Sequence, residues 1–487
     1  MISRIRVFPL LICTLATSGC GIPFGRSYLV ERQQIEVSFR PAQPDRVSVH
    51  ALYKLKNAGL PAIENLEIRL PDPVNFTVEN VQAKWLGHPS SGKAIADFKN
   101  EFHFDFGNSL KTKASGEFDL RYDLKFPVVS AASSDNHSAF FLPSFGWYPQ
   151  LLAAEGPLGS GGAWPGKWEL DVTVPENFSV HASGLESGRA RRAGAVRWKY
   201  QQTLRSYLPF VAAGNYSIRE IRGGETRVAL WSISPASDAR ANALADRLAS
   251  DDRYFAAEFG TSVKAASRLW IIECPGNMDS AQTPPWLATS GCMTVPDAAV
   301  VPANFLSATA RDEDTAMLHS IDMQLAASRF YFVARIDRNG PLYPLAAVND
   351  YAVFSLEASR AAGSRAEAVR QLIARLEVIP AANTDKALTS VTREDSVEVR
   401  EAAHVRSELF YVALEDRCSS QAVHRALARI FRVTQGSAWS LNELRSAVEA
   451  ECSQDLAPLF HEWLDHPGIP AEFRAHYLQG SPGNHQN

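Results

Sequence analysis

Trp168-Glu169-Leu170-Asp171-Val172-Thr173-Val174 alternates apolar and polar side chains, the period-two pattern of a strand with one face buried and one wet. Val47-Ser48-Val49-His50-Ala51-Leu52-Tyr53 repeats that pattern far upstream. Short runs of the same texture, broken by turn residues, extend from Leu29 to Arg222 and predict a β-rich domain over 29–225, a sandwich or a large twisted sheet. Within it, the Gly- and Pro-rich stretch Gly156 to Gly166 reads as an exposed loop. After Gly224 the apolar spacing becomes three and four, in Arg240 to Phe259, Ser364 to Leu376, Arg400 to Glu415 and Gln421 to Phe431. That spacing predicts a mainly helical domain over 226–478. One strand is expected at Arg268-Leu269-Trp270-Ile271-Ile272, the breakers Pro467-Gly468 are expected to end the last helices, and the polar tail 479–487 is expected to be disordered. The fold class is α+β.

The N-terminus has a different character. Arg4 and Arg6 precede an apolar run from Val7 to Ala16, then Thr17-Ser18-Gly19 and Cys20. A run of about ten apolar residues falls short of the roughly 20 needed to cross a bilayer, so residues 1–19 read as an export signal rather than an anchor. The segment resembles a bacterial lipoprotein signal, although Thr17 stands where such signals usually carry Leu. The resemblance implies a lipid on Cys20, a short tether over 20–28, and a cell-envelope protein held to a bacterial membrane, facing the periplasm or the exterior. Plain secretion is the alternative.

The chain has 487 residues, 46% hydrophobic and 21% charged, with a formal net charge of -4. That is material for two or more soluble cores. No basic run is present, so nucleic acid is not an expected partner. Of six cysteines, Cys13 leaves with the signal and Cys20 is assigned to the lipid. Proximity favours Cys274 with Cys292 and Cys418 with Cys452, among three possible connectivities, with four separate buried thiols as the other reading. No C-x-x-C spacing, G-x-S-x-G elbow or Gly-rich phosphate loop is present.

Several segments, taken in order, resemble the aminopeptidase N-like zinc metallopeptidases of the gluzincin clan. They are Phe145-Gly146-Trp147-Tyr148-Pro149, Trp168 to Pro175 with Ala182-Ser183-Gly184, Leu208 to Tyr216, and Leu456 to Leu464 with Pro467-Gly468-Ile469-Pro470. The resemblance covers most of the chain and implies a saddle-like sheet domain followed by a thermolysin-like peptidase domain. That family carries H-E-x-x-H on a helix, two His holding zinc while the Glu polarises its water.

Here the helix reads His319-Ser320-Ile321-Asp322-Met323-Gln324. Ser320 stands at the general base and cannot take a proton as a carboxylate does. Met323 stands at the second His, and a thioether suits soft metals rather than hydrolytic zinc. The family's third ligand, a Glu, corresponds to Asp350 in Val348-Asn349-Asp350-Tyr351-Ala352. Its amine-binding segment corresponds to Gly276-Asn277-Met278-Asp279-Ser280, with Met278 and Asp279 as substrate-binding candidates, although Gly291-Cys292-Met293 competes for the place. His404 falls where the family has a transition-state tyrosine, and belongs either to the same network or to a helix surface.

The expectation is a degenerate site that takes no cofactor. Two arrangements of its residues stay open: a hydrogen-bonded His319–Asp322 pair, or a rebuilt zinc site from His319, Asp322 and Asp350, which lie within reach if the helical spacing aligns them. His424, His461 and His466 read as surface or capping residues. Three functions follow: a non-catalytic pseudopeptidase binding a peptide or envelope protein, a hydrolase with a rebuilt metal site, or a structural component of an envelope assembly.

Overall fold

The computed structural model describes residues 28–479, apart from 60, 72–75, 95–99, 127–138, 144–146, 153–167, 203–208, 234, 261–267, 275–297, 303–304, 308–313, 331–334, 337–341, 361–364, 380–385, 393–394 and 434–437. The signal, Cys20, the Gly156 to Gly166 loop, Met278, Asp279, Cys292 and the tail beyond 479 lie outside the described residues.

The alternating runs form an eight-stranded sheet. Its order is Leu185–Arg192, Ala195–Gln202, Trp168–Pro175, Tyr28–Phe39, Arg46–Asn57, Ser115–Lys125, Thr77–Trp85 and His88–Ser90. Register follows the pleat: Ile35 lies opposite both Leu170 and Ala51, all buried, while Glu36 one position on lies opposite Asp171 and His50 on the wet face. The inner face shares one core with two smaller sheets, to which Ile63–Arg69 and Glu101–Leu110 contribute Leu66, Ile68 and Phe104, and Val211–Gly214 contributes Val211 and Ala213. Buried hydroxyls secure the aromatic segment of the resemblance, because Tyr53 Oη donates to the Pro149 carbonyl at 2.6 Å and Tyr122 Oη to that of Trp147 at 2.8 Å.

The hairpin Ser217–Gly223 and Thr226–Ser232 belongs to a four-stranded sheet continued in parallel by Arg268–Cys274 and Ala298–Pro302. Alternation alone does not say which sheet a strand joins. Helices then follow: α1 (Asp238–Phe259), α2 (Asp314–Arg329), α3 (Leu342–Ala346), α4 (Val348–Arg360), α5 (Arg365–Val378), α6 (Val397–Cys418), α7 (Ser420–Val433), α8 (Leu441–Cys452), α9 (Ala457–Leu464) and α10 (Ala471–Gln479). The helix α10 corrects the expectation that helices stop near Pro467-Gly468: Gly468, at φ 77°, turns the chain and a further helix begins. The two halves meet in a small core in which Phe141, Phe210 and Tyr216 pack with Trp231, Ile272 and Val300.

Helix α6 runs through the middle of the helical core, capped at its start by the Ser396 side chain, which accepts from the Val399 N–H. It is buried on nearly every face from Val405 to Glu415, so its charged residues Arg406, Glu408 and Glu415 are carried inside. Its far end is joined to the end of α8 by the Cys418–Cys452 disulfide, as proximity predicts. Cys274 is buried, and its expected partner lies outside the described residues. Among the described residues, no helix is long and apolar enough to cross a membrane.

Candidate functional site

His319 sits on α2 with its side chain about half exposed, and its Nδ1 lies 2.8 Å from Glu357 Oε1 on α4. Glu357 follows Asp350 by two helical turns and so shares its face of α4. The carboxylate raises the imidazole pKa above its ordinary value, the hydrogen bond being the largest cause. An imidazole fixed through one nitrogen to a carboxylate is how metal-ligating histidines are oriented. The rest of the helix does not continue in that sense.

Ser320 is buried, with its Oγ 3.4 Å from Gln324 Nε2. The Gln324 amide also donates to the Val300 carbonyl at 3.0 Å and accepts from the Val300 N–H at 2.7 Å. Ser320 therefore belongs to a tie between α2 and the strand Ala298–Pro302. Met323 packs partly buried against the helical core.

Asp322 does not pair with His319. It is fully buried, and Arg247 of α1 grips it through Nε at 3.1 Å and Nη2 at 2.6 Å, while Arg360 of α4 adds Nη1 at 3.0 Å. Arg360 also pairs with buried Asp251. Its guanidinium is pulled down to about 10 by burial and by Arg247, and so stays charged at neutral pH. A carboxylate held by two guanidinium groups has spent its lone pairs and has none to offer a metal.

Asp350 is part-buried, and burial raises its carboxyl pKa against the pull of His404 and His319. Across from it on α6, Glu408 is 9% exposed, its pKa pushed up to about 8 by burial first and by the charge of Asp350 second. Neither carboxyl has a side-chain hydrogen bond or ion pair among the described residues. His404, one turn before Glu408, is exposed and meets Tyr343 edge-on at 5.1 Å between ring centroids. Tyr351 and Tyr411 stack at 5.0 Å and lock α4 against α6 beside these groups.

Zinc takes three or four converging N, O or S donors at about 2.0–2.3 Å. Among the described residues no three His, Cys, Asp or Glu side chains are grouped to hold a metal ion. With Asp322 already held by Arg247 and Arg360, the residues His319, Asp322 and Asp350 do not make the group of donors that zinc needs.

Of the remaining histidines His424 departs from expectation, whereas His461 and His466 are exposed as expected. His424 is buried rather than superficial, its Nδ1 3.2 Å from Glu258 Oε2 and its ring 4.3 Å from that of Phe259, because it falls on the buried side of α7. His461 is exposed and bonds Asp465 at 2.9 Å. Its Nε2 also lies 3.3 Å from His466 Nε2, because α9 ends at Leu464 and the chain turns back. Glu357, Glu408 and Gln324 escaped the sequence reading. The two-turn offset from Asp350, the one-turn offset from His404 and the position one turn after Ser320 are the signals that could have found them.

No protein-family model and no curated protein matches the chain. Solved structures do. The M1 zinc metallopeptidase of Deinococcus radiodurans superposes with a TM-score of 0.58 at 15% identity, over 91% of this chain and 96% of that one. A mutant of that enzyme bound to a Tyr-Ser-Ala substrate gives 0.57 at 16% identity with the same coverage. A two-domain M1 zinc metallopeptidase mutant bound to L-tryptophan gives 0.59 at 15%, again over 91% and 96%. The chain thus has the two-domain fold of M1 zinc metallopeptidases, a β-sheet domain followed by a mainly helical one.

Proposed function

We propose that this chain is a pseudopeptidase: an exported protein, anchored by a lipid on Cys20, whose former catalytic cleft holds a peptide or protein segment without cleaving it. One observation carries the reading. On the helix where the fold's hydrolases place base and ligands, Ser320 is committed to a structural tie and Asp322 to two arginines. A hydrolytic site needs a group able to take a proton from water and a vacant Lewis acid or nucleophile near it, and those positions are otherwise engaged. The scaffold around them persists, and His319, Glu357 and His404 are exposed on it.

The test is to incubate the full chain with a mixed peptide pool, with and without added zinc, and to follow both hydrolysis and retention, the latter by photo-crosslinking from a probe placed at position 319. Retained, uncleaved peptides are expected. Amino-acid release that His319→Ala abolishes in a folded protein would establish instead a hydrolase with a rebuilt site, the reading that the His319–Glu357 hydrogen bond favours. The anchor is tested separately: Cys20→Ala is expected to move the protein from the membrane fraction to the soluble fraction and to end incorporation of labelled fatty acid.

A further inference from the structure

The end of α9 brings two imidazoles together, away from α2 and α4. His461 lies in the last turn of the helix, His466 follows its end at Leu464, and their Nε2 atoms stand 3.3 Å apart. Both side chains are exposed, yet they are held from behind. His461 Nδ1 lies 2.9 Å from Asp465 Oδ2, while the other oxygen of that carboxylate accepts from Thr389 Oγ1 at 3.2 Å. Buried Trp463 and Leu464 root the helix end in the core, and Arg406 Nη2 donates to the His466 carbonyl at 2.8 Å.

The carboxylate sets the tautomer of His461. An Nδ1–H that donates to Asp465 leaves the Nε2 of a neutral ring with a lone pair, and that atom faces His466. His466 Nε2 meets it either with a proton, making a hydrogen bond, or with a lone pair of its own. In the second state two imidazole donors converge on one point. With zinc–nitrogen bonds of about 2.0–2.1 Å, a separation of 3.3 Å corresponds to an angle at the metal of about 104–111°, close to tetrahedral. An imidazole fixed through its other nitrogen to a carboxylate is also how zinc-binding histidines are oriented. Asp465, with one oxygen on His461 and the other on Thr389, acts as a positioning residue rather than a third ligand.

We propose that His461 and His466 bind a zinc ion at the surface, with Asp465 orienting His461 and water filling the remaining places. Two imidazoles fall short of the three or four protein donors of a tightly held zinc, so the site fills and empties with the free metal and does not retain it through dialysis. It shares no residue with α2 or α4 and neither rests on the pseudopeptidase reading nor alters it.

The test is calorimetric titration of the full chain with zinc chloride, with the imidazole resonances followed by NMR. One zinc per chain is expected, with a micromolar or weaker dissociation constant and with the His461 and His466 resonances moving together. His461→Gln and His466→Gln should each weaken binding about ten-fold or more, and Asp465→Ala about ten-fold, whereas Asp465→Asn, which keeps an oxygen acceptor, should weaken it less. These side chains are exposed, so the variants are expected to fold, and His319→Ala should leave the titration unchanged. No binding, an affinity indifferent to both histidine substitutions, or resonances unmoved at saturation overturns the inference and leaves the pair a hydrogen bond. Binding that is lost in His319→Ala also overturns it, and would place the ion at α2 instead.

Discussion

Asp251 and Asp322 are buried in the helical half and so, largely, are Asp350 and Glu408, yet only the first two meet arginine. Arg247 and Arg360 reach Asp322 from two helices, and Arg360 reaches Asp251 as well. No such partner reaches Asp350 or Glu408 among the described residues. The first pair cross-links α1, α2 and α4. The second pair has no arginine among the described residues. Buried acids of one chemical type thus serve structure in one place and stand without a countercharge in the other, and the two should answer to substitution with opposite signs.

The largest effect is expected at the structural pair. Arg360→Met takes the nearest cation from buried Asp251 and leaves Asp322 to Arg247 alone, and should cost about 3–5 kcal/mol in denaturant unfolding of the full chain; a loss near zero would break the comparison at its stronger end. Next comes the Cys418–Cys452 disulfide, which closes a 34-residue separation and fixes the end of the helix that carries Glu408. Replacing both cysteines by serine should cost about 2–4 kcal/mol, measured the same way.

Glu408→Gln should act in the other direction, raising stability by about 1 kcal/mol or more at pH 8. The sign follows from linkage. With its pKa raised from 4.5 to about 8, the folded protein keeps a proton that the unfolded chain loses, so stability falls as pH rises through that window. The glutamine variant should be flatter between those two pH values, and an unchanged slope would mean that Glu408 is not the group responsible.

The smallest effect is expected at the rim. Glu357→Gln should lower the His319 pKa, because the hydrogen bond to that carboxylate is the largest cause of its rise, read by NMR titration. Because the folded pKa is raised, the contribution of this pair is present below the ordinary histidine value and fades as pH climbs through the folded one.

The outer face of the N-terminal sheet supplies a control for all of this. A polar hollow of about 290 Å³ opens there, lined by Glu36, Ser48, His50, Asn80 and Asp123. His50 is flanked by Glu36 at 3.2 Å and Asp119 at 3.1 Å, and Asp123 accepts from Ser48 and Asn80 at 2.7 Å each. These groups satisfy one another, so the hollow leaves little charge unmet.

The sequence made many of the strands, the helices α1, α5, α6 and α7 and the change of texture in mid-chain legible, because periodicity records which side chains face a core. Asp322 was misread because Arg247 lies 75 residues away and Arg360 38 away, whereas helical spacing compares only neighbours along one helix. His461 and His466 are exposed as read, and what the sequence did not disclose is that they meet, because α9 stops between them. What resemblance supplied was the placing of His319 and Asp350. What it could not supply was the fate of the residues between them.

Zinc retained by the full chain, after loading and then dialysis against zinc-free buffer, tests the central claim most directly. The account predicts far less than one ion per chain, since Ser320, Asp322 and Met323 leave no ligand set on α2. Close to one tightly held zinc per chain, lost in His319→Ala, would contradict it.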